Sequence, residues 1–252
     1  MHSVVLRGVL AVWLTLLVGS AASARELLAV GTSFPRVFER TPAGQYSGLA
    51  TRVLSVTLTQ LGHSVRFELY PWARAQRMVE LGQADILIGP YKSPAREARF
   101  AFAAQAFYRD RIVFYRRSDS LLHWSGDYRQ LRGRRVGVVR AWAYGTRFDD
   151  ARAGLDLVTV EGVENGLKML SMGRLALLAS NQRNTQPVLQ ALGLNDEIVQ
   201  LETLIDTQDG YFAFPRQSSH RSLREDFDRV FQQMIEQGQL AQLAAQWQVE
   251  IP

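Results

Sequence analysis

Residues 64–91 read SVRFELYPWARAQRMVELGQADILIGPY, and three short segments in that run decide the fold class. Val65, Phe67 and Leu69 alternate with polar residues, the period of a strand with one buried face. Trp72 to Leu81 predicts a helix closed by Gly82, and Ala84 to Ile88 predicts a second strand. Parallel strands need a crossover connection, usually a helix. A strand–helix–strand run therefore predicts an α/β protein, with helices packed on the faces of a parallel or mixed sheet.

Upstream, Glu26 to Val30 predicts a buried strand, followed by a polar loop over 31–47. Loops this long in a compact domain are usually functional, and Phe34 and Phe38 within it are either ligand-facing aromatics or core plugs. Leu54, Leu58 and Leu61 then recur at helical spacing up to Gly62. Downstream, Ile112 to Tyr115 predicts a strand, and the polar segment Arg116 to Asp127 is a candidate crossing to a second series. That series has strands over 135–139, 157–160 and 175–178 and a helix over 164–172, and a further strand over 211–214 follows it. Ser222-Leu223-Arg224-Glu225 has the form of a capping box. After it, Phe227, Val230, Phe231, Met234 and Ile235 form a helical stripe that Leu240, Leu243 and Trp247 continue past Gly238; core packing explains the stripe without a cofactor.

Composition narrows the function classes. Met1, Arg7, an apolar run over Val9–Val18 and the small residues Ala22-Ser23-Ala24 have the order of a secretory signal peptide, with cleavage expected after Ala24. The run is too short to span a bilayer as a helix, so a periplasmic protein without an anchor is expected. Its removal takes one arginine and no acid from 29 basic and 24 acidic residues, leaving a mildly basic chain. The sequence has no cysteine, which excludes disulfides, thiolate metal sites, a cysteine nucleophile and a lipidated cysteine. The arginine clusters at 132, 134 and 135 and at 109, 111, 116 and 117 read as solvated faces, since export argues against nucleic acid. His63, His123 and His220 lack metal-ligand spacing, and no pair of carboxylates stands out as general acid and base. Neither a metal, a cofactor nor an enzyme is expected.

Three groups of landmarks resemble the family 3 extracellular solute-binding proteins, which include the periplasmic polar amino-acid receptors of ABC transporters. The first is Gly44 to Leu54. The second is Pro71-Trp72-Ala73-Arg74, Leu81 to Asp85, Ser93-Pro94-Ala95-Arg96 and Phe100 to Tyr108. The third is Leu131 to Val138, Met172-Gly173-Arg174-Leu175 and the terminal helices over Leu223–Trp247. The resemblance implies a two-lobed Venus flytrap, the type II-like periplasmic binding fold. Residues 25–115 would form the first lobe, 116–210 the second, and 211–252 the return to the first, with crossings near 113–119 and 207–213.

The same resemblance implies the site. Arg96 stands where amino-acid receptors keep the arginine for the ligand's carboxylate, with Ser93 as a companion; the alternative is an exposed arginine paired with Glu97 or Asp85. Gly89 and Tyr91 follow a strand at its carboxyl end, where open α/β sheets bind ligands. Arg140 to Thr146 stands where the family presents helix-terminal amides, and Trp142 and Tyr144 make that wall more aromatic. Phe34 and Trp72 complete the candidate ligand walls. Asn181 replaces the family's ammonium-binding aspartate, and Ala176, Ala50 and Arg52 replace other acids. An acidic or neutral polar ligand, such as a small organic acid or an aromatic carboxylate, fits these residues at least as well as a zwitterionic amino acid. The implied partners are a small carboxylate-bearing molecule and an inner-membrane ABC permease, the protein being a monomer. The rival readings are a sensing module acting on a signalling partner and a cyclohexadienyl-dehydratase-like enzyme.

Overall fold

A computed structural model describes residues 24–252, so the expected signal peptide falls, but for its last residue, outside the described residues. The strand–helix–strand reading is realised as β1 (Glu26–Gly31), α1 (Leu49–Gln60), β4 (Ser64–Leu69), α2 (Trp72–Glu80) and β5 (Ile86–Tyr91), with the two-residue strands β2 (Glu39–Arg40) and β3 (Tyr46–Ser47) paired inside the long loop. β1 lies between β4 and β5, parallel to both. Helix α1 has no side-chain cap. Its first amides donate instead to carbonyls of the loop, Leu49 to Arg36 (2.9 Å) and Ala50 to Val37 (2.9 Å), which satisfies the free donors of a helix start. Gly48 permits this contact: at φ 121° its Cβ would lie 2.4 Å from the Val37 carbonyl oxygen.

After the one-turn helix α3 (Pro94–Glu97) and β6 (Phe100–Phe102), the chain enters β7 (Tyr108–Arg117). A second parallel set follows: β8 (Arg135–Val139), α4 (Thr146–Ala151), β9 (Asp156–Val160), α5 (Val163–Ser171), β10 (Leu177–Asn181) and α6 (Gln182–Leu192). The 18-residue strand β11 (Ile198–Pro215) then returns to the first set, and α7 (Arg221–Glu236) and α8 (Gln239–Trp247) pack on α1. The sheet order is β4-β1-β5-β11-β7-β10-β8-β9, with β6 also on β11.

The antiparallel pair β7 and β11 thus joins two parallel ends. β5 pairs with β11 from Gly210 onward, and β10 pairs with Ile112–Tyr115 of β7. Between these limits Arg109, Asp110 and Arg111 face Asp209, Gln208 and Thr207 and nothing else in the sheet. Phe212 of β11 stacks on Phe107 (centroids 4.0 Å apart) and meets Phe227 edge-on (5.4 Å), and such aromatic pairs add about 0.5–1.5 kcal/mol each beyond their burial. They fix α7 to the sheet.

The capping box does not form. Helix α7 starts one residue earlier, at Arg221, with His220 at its N-cap and no side-chain cap bond. A short 3-10 turn over 218–220 runs straight into it, so Ser222 is already within the first turn. The long loop resolves its two phenylalanines differently. Phe38 is a core plug, stacked on Tyr46 (5.7 Å) and tilted against Phe67 (5.9 Å), while Phe34 faces the space between the two ends of the sheet.

Candidate functional site

The site grows from the end of β5. Gly89 has φ 85°, and a Cβ there would lie 3.1 Å from the Tyr108 hydroxyl and 3.2 Å from the Phe34 ring, so its conformation and its close approaches both require glycine. Two residues past Tyr91, the Ser93 side chain accepts the Arg96 amide (3.3 Å) and caps α3, with Pro94 in the first turn where no donor is needed. This one-turn helix folds Arg96 back over the strand end. Its Nη1 donates to the Tyr91 carbonyl (3.0 Å) and its Nη2 reaches across to the Ala141 carbonyl (2.8 Å), just past β8. Ala141 is held at φ 61°, and its carbonyl also accepts from Trp72 Nε1 (3.2 Å).

Arg96 is buried, 7% exposed, and burial lowers its pKa to about 10, so it stays charged at neutral pH. Its guanidinium lies 5.7 Å from the Trp72 ring. Both hydrogen-bond acceptors are neutral carbonyls, and it makes no ion pair among the described residues. Asp85, one of its candidate partners, pairs instead with Arg25 (2.7 Å) and His220 (3.1 Å). The expected alternative of an exposed, paired arginine is therefore not what the structure contains.

Behind Tyr91 lies a buried polar network. The Tyr91 hydroxyl donates to Asp110 Oδ2 (2.6 Å) and accepts from Asn181 Nδ2 (3.0 Å), while Asn181 Oδ1 caps α6 by accepting the Asn184 amide (2.8 Å). Arg183, on the first turn of α6, grips both Asp110 oxygens (2.9 and 2.6 Å) and donates to the Pro35 carbonyl (2.8 Å). Burial alone would lower the Arg183 pKa, but the Asp110 charge outweighs it and holds it above the ordinary value. Burial, then Asp110, pushes the Tyr91 hydroxyl well above its usual range. The arrangement is neutral as a whole, leaving the buried Arg96 without a carboxylate partner among the described residues.

Phe34, Trp72, Gly89, Tyr91, Arg96, Trp142, Ala143 and Asn181 together enclose a cavity of ≈ 10 Å³, about the least space that holds one water. Phe34 meets Trp72 edge-on at 5.5 Å. The structure thus assembles most of the sequence-predicted residues: Arg96, Tyr91, Gly89, Trp72, Phe34, Trp142 and Asn181. It separates two. Ser93 serves as the α3 cap and lines a neighbouring gap of ≈ 290 Å³ between the two ends, opposite Gly145 and Thr146. Tyr144 is core: it is wholly buried, accepts the Val139 amide (2.6 Å) on its hydroxyl and packs on Phe148 (5.0 Å). A tyrosine beside a tryptophan in a loop gives no sequence cue as to which of the two turns inward.

Asp110, Arg183 and the Ala141 carbonyl were not legible. Asp110 is hidden between Arg109 and Arg111 in a run that reads as a solvated basic face, and a backbone carbonyl leaves no signature. Among the described residues no helix is long and apolar enough to cross a membrane, and no group of three or more His, Cys, Asp or Glu is placed to hold a metal.

Comparison with known proteins agrees with this geometry. No curated protein matches the sequence. Among solved structures, a histidine kinase sensor domain with similarity to periplasmic binding proteins superposes with TM-score 0.79 at 19% identity, covering 92% of this chain and 100% of that one. An amino-acid ABC transporter substrate-binding protein from Streptococcus pneumoniae bound to L-arginine gives 0.73 at 17%, covering 89% and 94%. An ancestral arginine-binding protein bound to arginine gives 0.73 at 15%, covering 88% and 97%. At these identities the superpositions establish the two-lobed periplasmic-binding fold. The family profile matches residues 28–250, nearly the whole described chain, and on that match the protein belongs to the bacterial extracellular solute-binding proteins, family 3.

Proposed function

We propose that the protein is a periplasmic receptor that closes its two lobes on a small carboxylate-bearing molecule and delivers it to an ABC permease, without catalysing a reaction on it. The observation that carries this is Arg96: a buried guanidinium at the interlobe cleft, satisfied by two neutral carbonyls and by no acid. A carboxylate presents two charged acceptors in the geometry of the guanidinium fork, and charge-assisted bonds are roughly twice as strong as neutral ones. Such a ligand would take the place of Ala141 on Arg96. Aromatic walls at Phe34, Trp72 and Trp142 suit a ligand with a flat apolar body. Asn181 in place of an acid, and Asp110 already engaged by Arg183, disfavour an ammonium group there.

In this reading residues 25–108 and 211–252 form the first lobe, the second begins where β7 meets β10 at Ile112, and the crossings are Arg109–Arg111 and Thr207–Asp209. Strand pairing supports those limits. Export through a leader cleaved after Ala24 and a monomeric state belong to the same proposal.

The test is titration calorimetry of refolded protein against organic acids, aromatic carboxylates and amino acids. Saturable binding of a carboxylate is expected, with Arg96→Met weakening it by about 2–5 kcal/mol, the usual loss when one partner of a buried charged contact is truncated. Equal binding of neutral analogues, or binding unchanged in Arg96→Met, would overturn the proposal. The second reading, a sensing module that acts on a signalling partner, is favoured by the cross-cleft bonds from Arg96, Trp72, Asn181 and Arg183, which tie the lobes together through the chain's own groups.

A further inference from the structure

The Arg183–Asp110 pair that backs the cleft also lines a second and much larger depression, of ≈ 420 Å³, beside the strand crossing. Four guanidinium groups reach it from separate parts of the chain: Arg36 from the long loop, Arg109 and Arg111 from β7, and Arg183 from α6. Two of them are neutralised. Asp110 takes Arg183, and Asp209 takes Arg109 through both oxygens (2.6 and 2.9 Å). Arg36 and Arg111 make no ion pair among the described residues; the Arg36 amide donates to Glu39 Oε1 (3.0 Å), and its guanidinium donates a long bond to the Gln248 carbonyl (3.5 Å). Glu250 is the one further acid in the lining, and side-chain amides make up the rest of the rim. The depression therefore offers two exposed, unneutralised guanidiniums against one carboxylate, on a concave surface with further amide donors.

We propose that this groove is a binding site for a small multivalent oxyanion, gripped by Arg36 and Arg111 over the Arg183–Asp110 pair. Planar guanidinium forks suit carboxylate and phosphate oxygens alike, so either could supply the group. The site is separate from the cleft at Arg96 and is inferred without reference to what the cleft binds. It nevertheless communicates with it. Arg36 belongs to one end of the sheet and Arg111 to the crossing strand, with Arg183 of the other end beneath them, so an anion held by the first two over the Arg183–Asp110 pair senses the relative placing of the two ends. The path runs Arg183, Asp110, Tyr91, Asn181, each hydrogen-bonded to the next or sharing a partner. By reciprocity, an anion that favours one placing of the lobes changes the affinity at the cleft in the same sense.

The experiment titrates the protein produced from its full-length chain with inorganic phosphate and, separately, with citrate. Each is followed by calorimetry and by melting temperature, with sodium chloride controls at matched ionic strength. At least one probe is expected to bind saturably and to raise the melting temperature beyond the control; which of the two does so distinguishes a phosphate from a carboxylate site. The double variant Arg36→Gln/Arg111→Gln, both positions being exposed, is expected to melt as the parent does without anion and to lose about tenfold or more in affinity. Arg96→Met should leave saturable anion binding in place, altered only by the coupling between the two sites. Neither probe exceeding the salt control, an unchanged double variant, or binding abolished by Arg96→Met would each overturn the proposal. Citrate binding abolished by Arg96→Met would assign the citrate to the cleft and not to the groove; the other results leave the reading of the cleft untouched.

Discussion

Replacing Arg183 with methionine keeps the length and the apolar stem of the side chain but removes the only cation bonded to Asp110 among the described residues. Asp110 is 2% exposed, and without Arg183 its sole side-chain donor is the Tyr91 hydroxyl. A buried carboxylate stripped of its counterion costs about 3–5 kcal/mol. For a chain of this size each kcal/mol lowers the melting temperature by roughly 2–4 °C, so a fall of about 6–20 °C is expected. Asp110→Asn should be costly for the converse reason, leaving a buried guanidinium facing the Pro35 carbonyl and the Asn184 side chain. The double variant Arg183→Met/Asp110→Asn removes both charges and should be more stable than the sum of the single losses by about 2 kcal/mol or more, as coupled partners are. Urea denaturation of all four proteins measures this, provided the slopes agree. If Arg183→Met costs less than about 1 kcal/mol, the range of an exposed pair, or if the single losses add, then the pair is screened by solvent and the buried network behind the cleft does not exist as described.

Two further substitutions probe the frame around the site. A Cβ at Gly210 would lie 1.8 Å from the Tyr108 ring, so Gly210→Ala should force Tyr108 off its bond to the Gly89 carbonyl and destabilise the protein by about 1–3 kcal/mol, read by the same denaturation. Burial raises the Asp228 pKa despite its bond from the Ala104 amide and its pairing with Arg224. Because the folded value is raised, ionised Asp228 works against folding at neutral pH, and the parent gains stability as pH falls through the folded pKa. Asp228→Asn is therefore expected to be more stable than the parent at pH 7 and to lose that advantage in acid. A variant less stable at pH 7 and equal to the parent in acid would reverse the sign.

The class of fold was legible because its signals are local and repeated. Alternation over Val65–Leu69, the helical run after Trp72 and the closing Gly82 each state one element, and a sheet with parallel strands follows from the need for crossovers; the order of its strands does not. The resemblance implies crossings near 113–119 and 207–213, and the polar segment after Arg116 reads as a linker; β7 and β11 run without a break between the two ends of the sheet, so no loop residue there marks a boundary. Site residues carried by a motif, such as Arg96 after Ser93-Pro94-Ala95, were legible for the same local reason. Arg183 and Asp110 were not, since they meet across 73 positions and neither has a local pattern that announces a partner. The capping box failed because its spacing is also met by residues one step inside a helix whose start is set by the preceding turn.

If the lobes swing about β7, as the proposed receptor role requires, the two interlobe arginines have unequal lever arms. Asp110 lies on the crossing strand β7 itself, so a swing about that strand barely stretches its pair with Arg183. Ala141 follows β8, two strands away in the sheet, hence about 10 Å from the same axis at the usual strand spacing. A rotation of about 10° moves a point at that radius by nearly 2 Å, enough to take the Arg96–Ala141 bond beyond hydrogen-bonding range. The far latch therefore parts while the near one is still seated. On the proposed closure, a pivot at β7 would keep its charge pair intact while the guanidinium of Arg96 is exposed first.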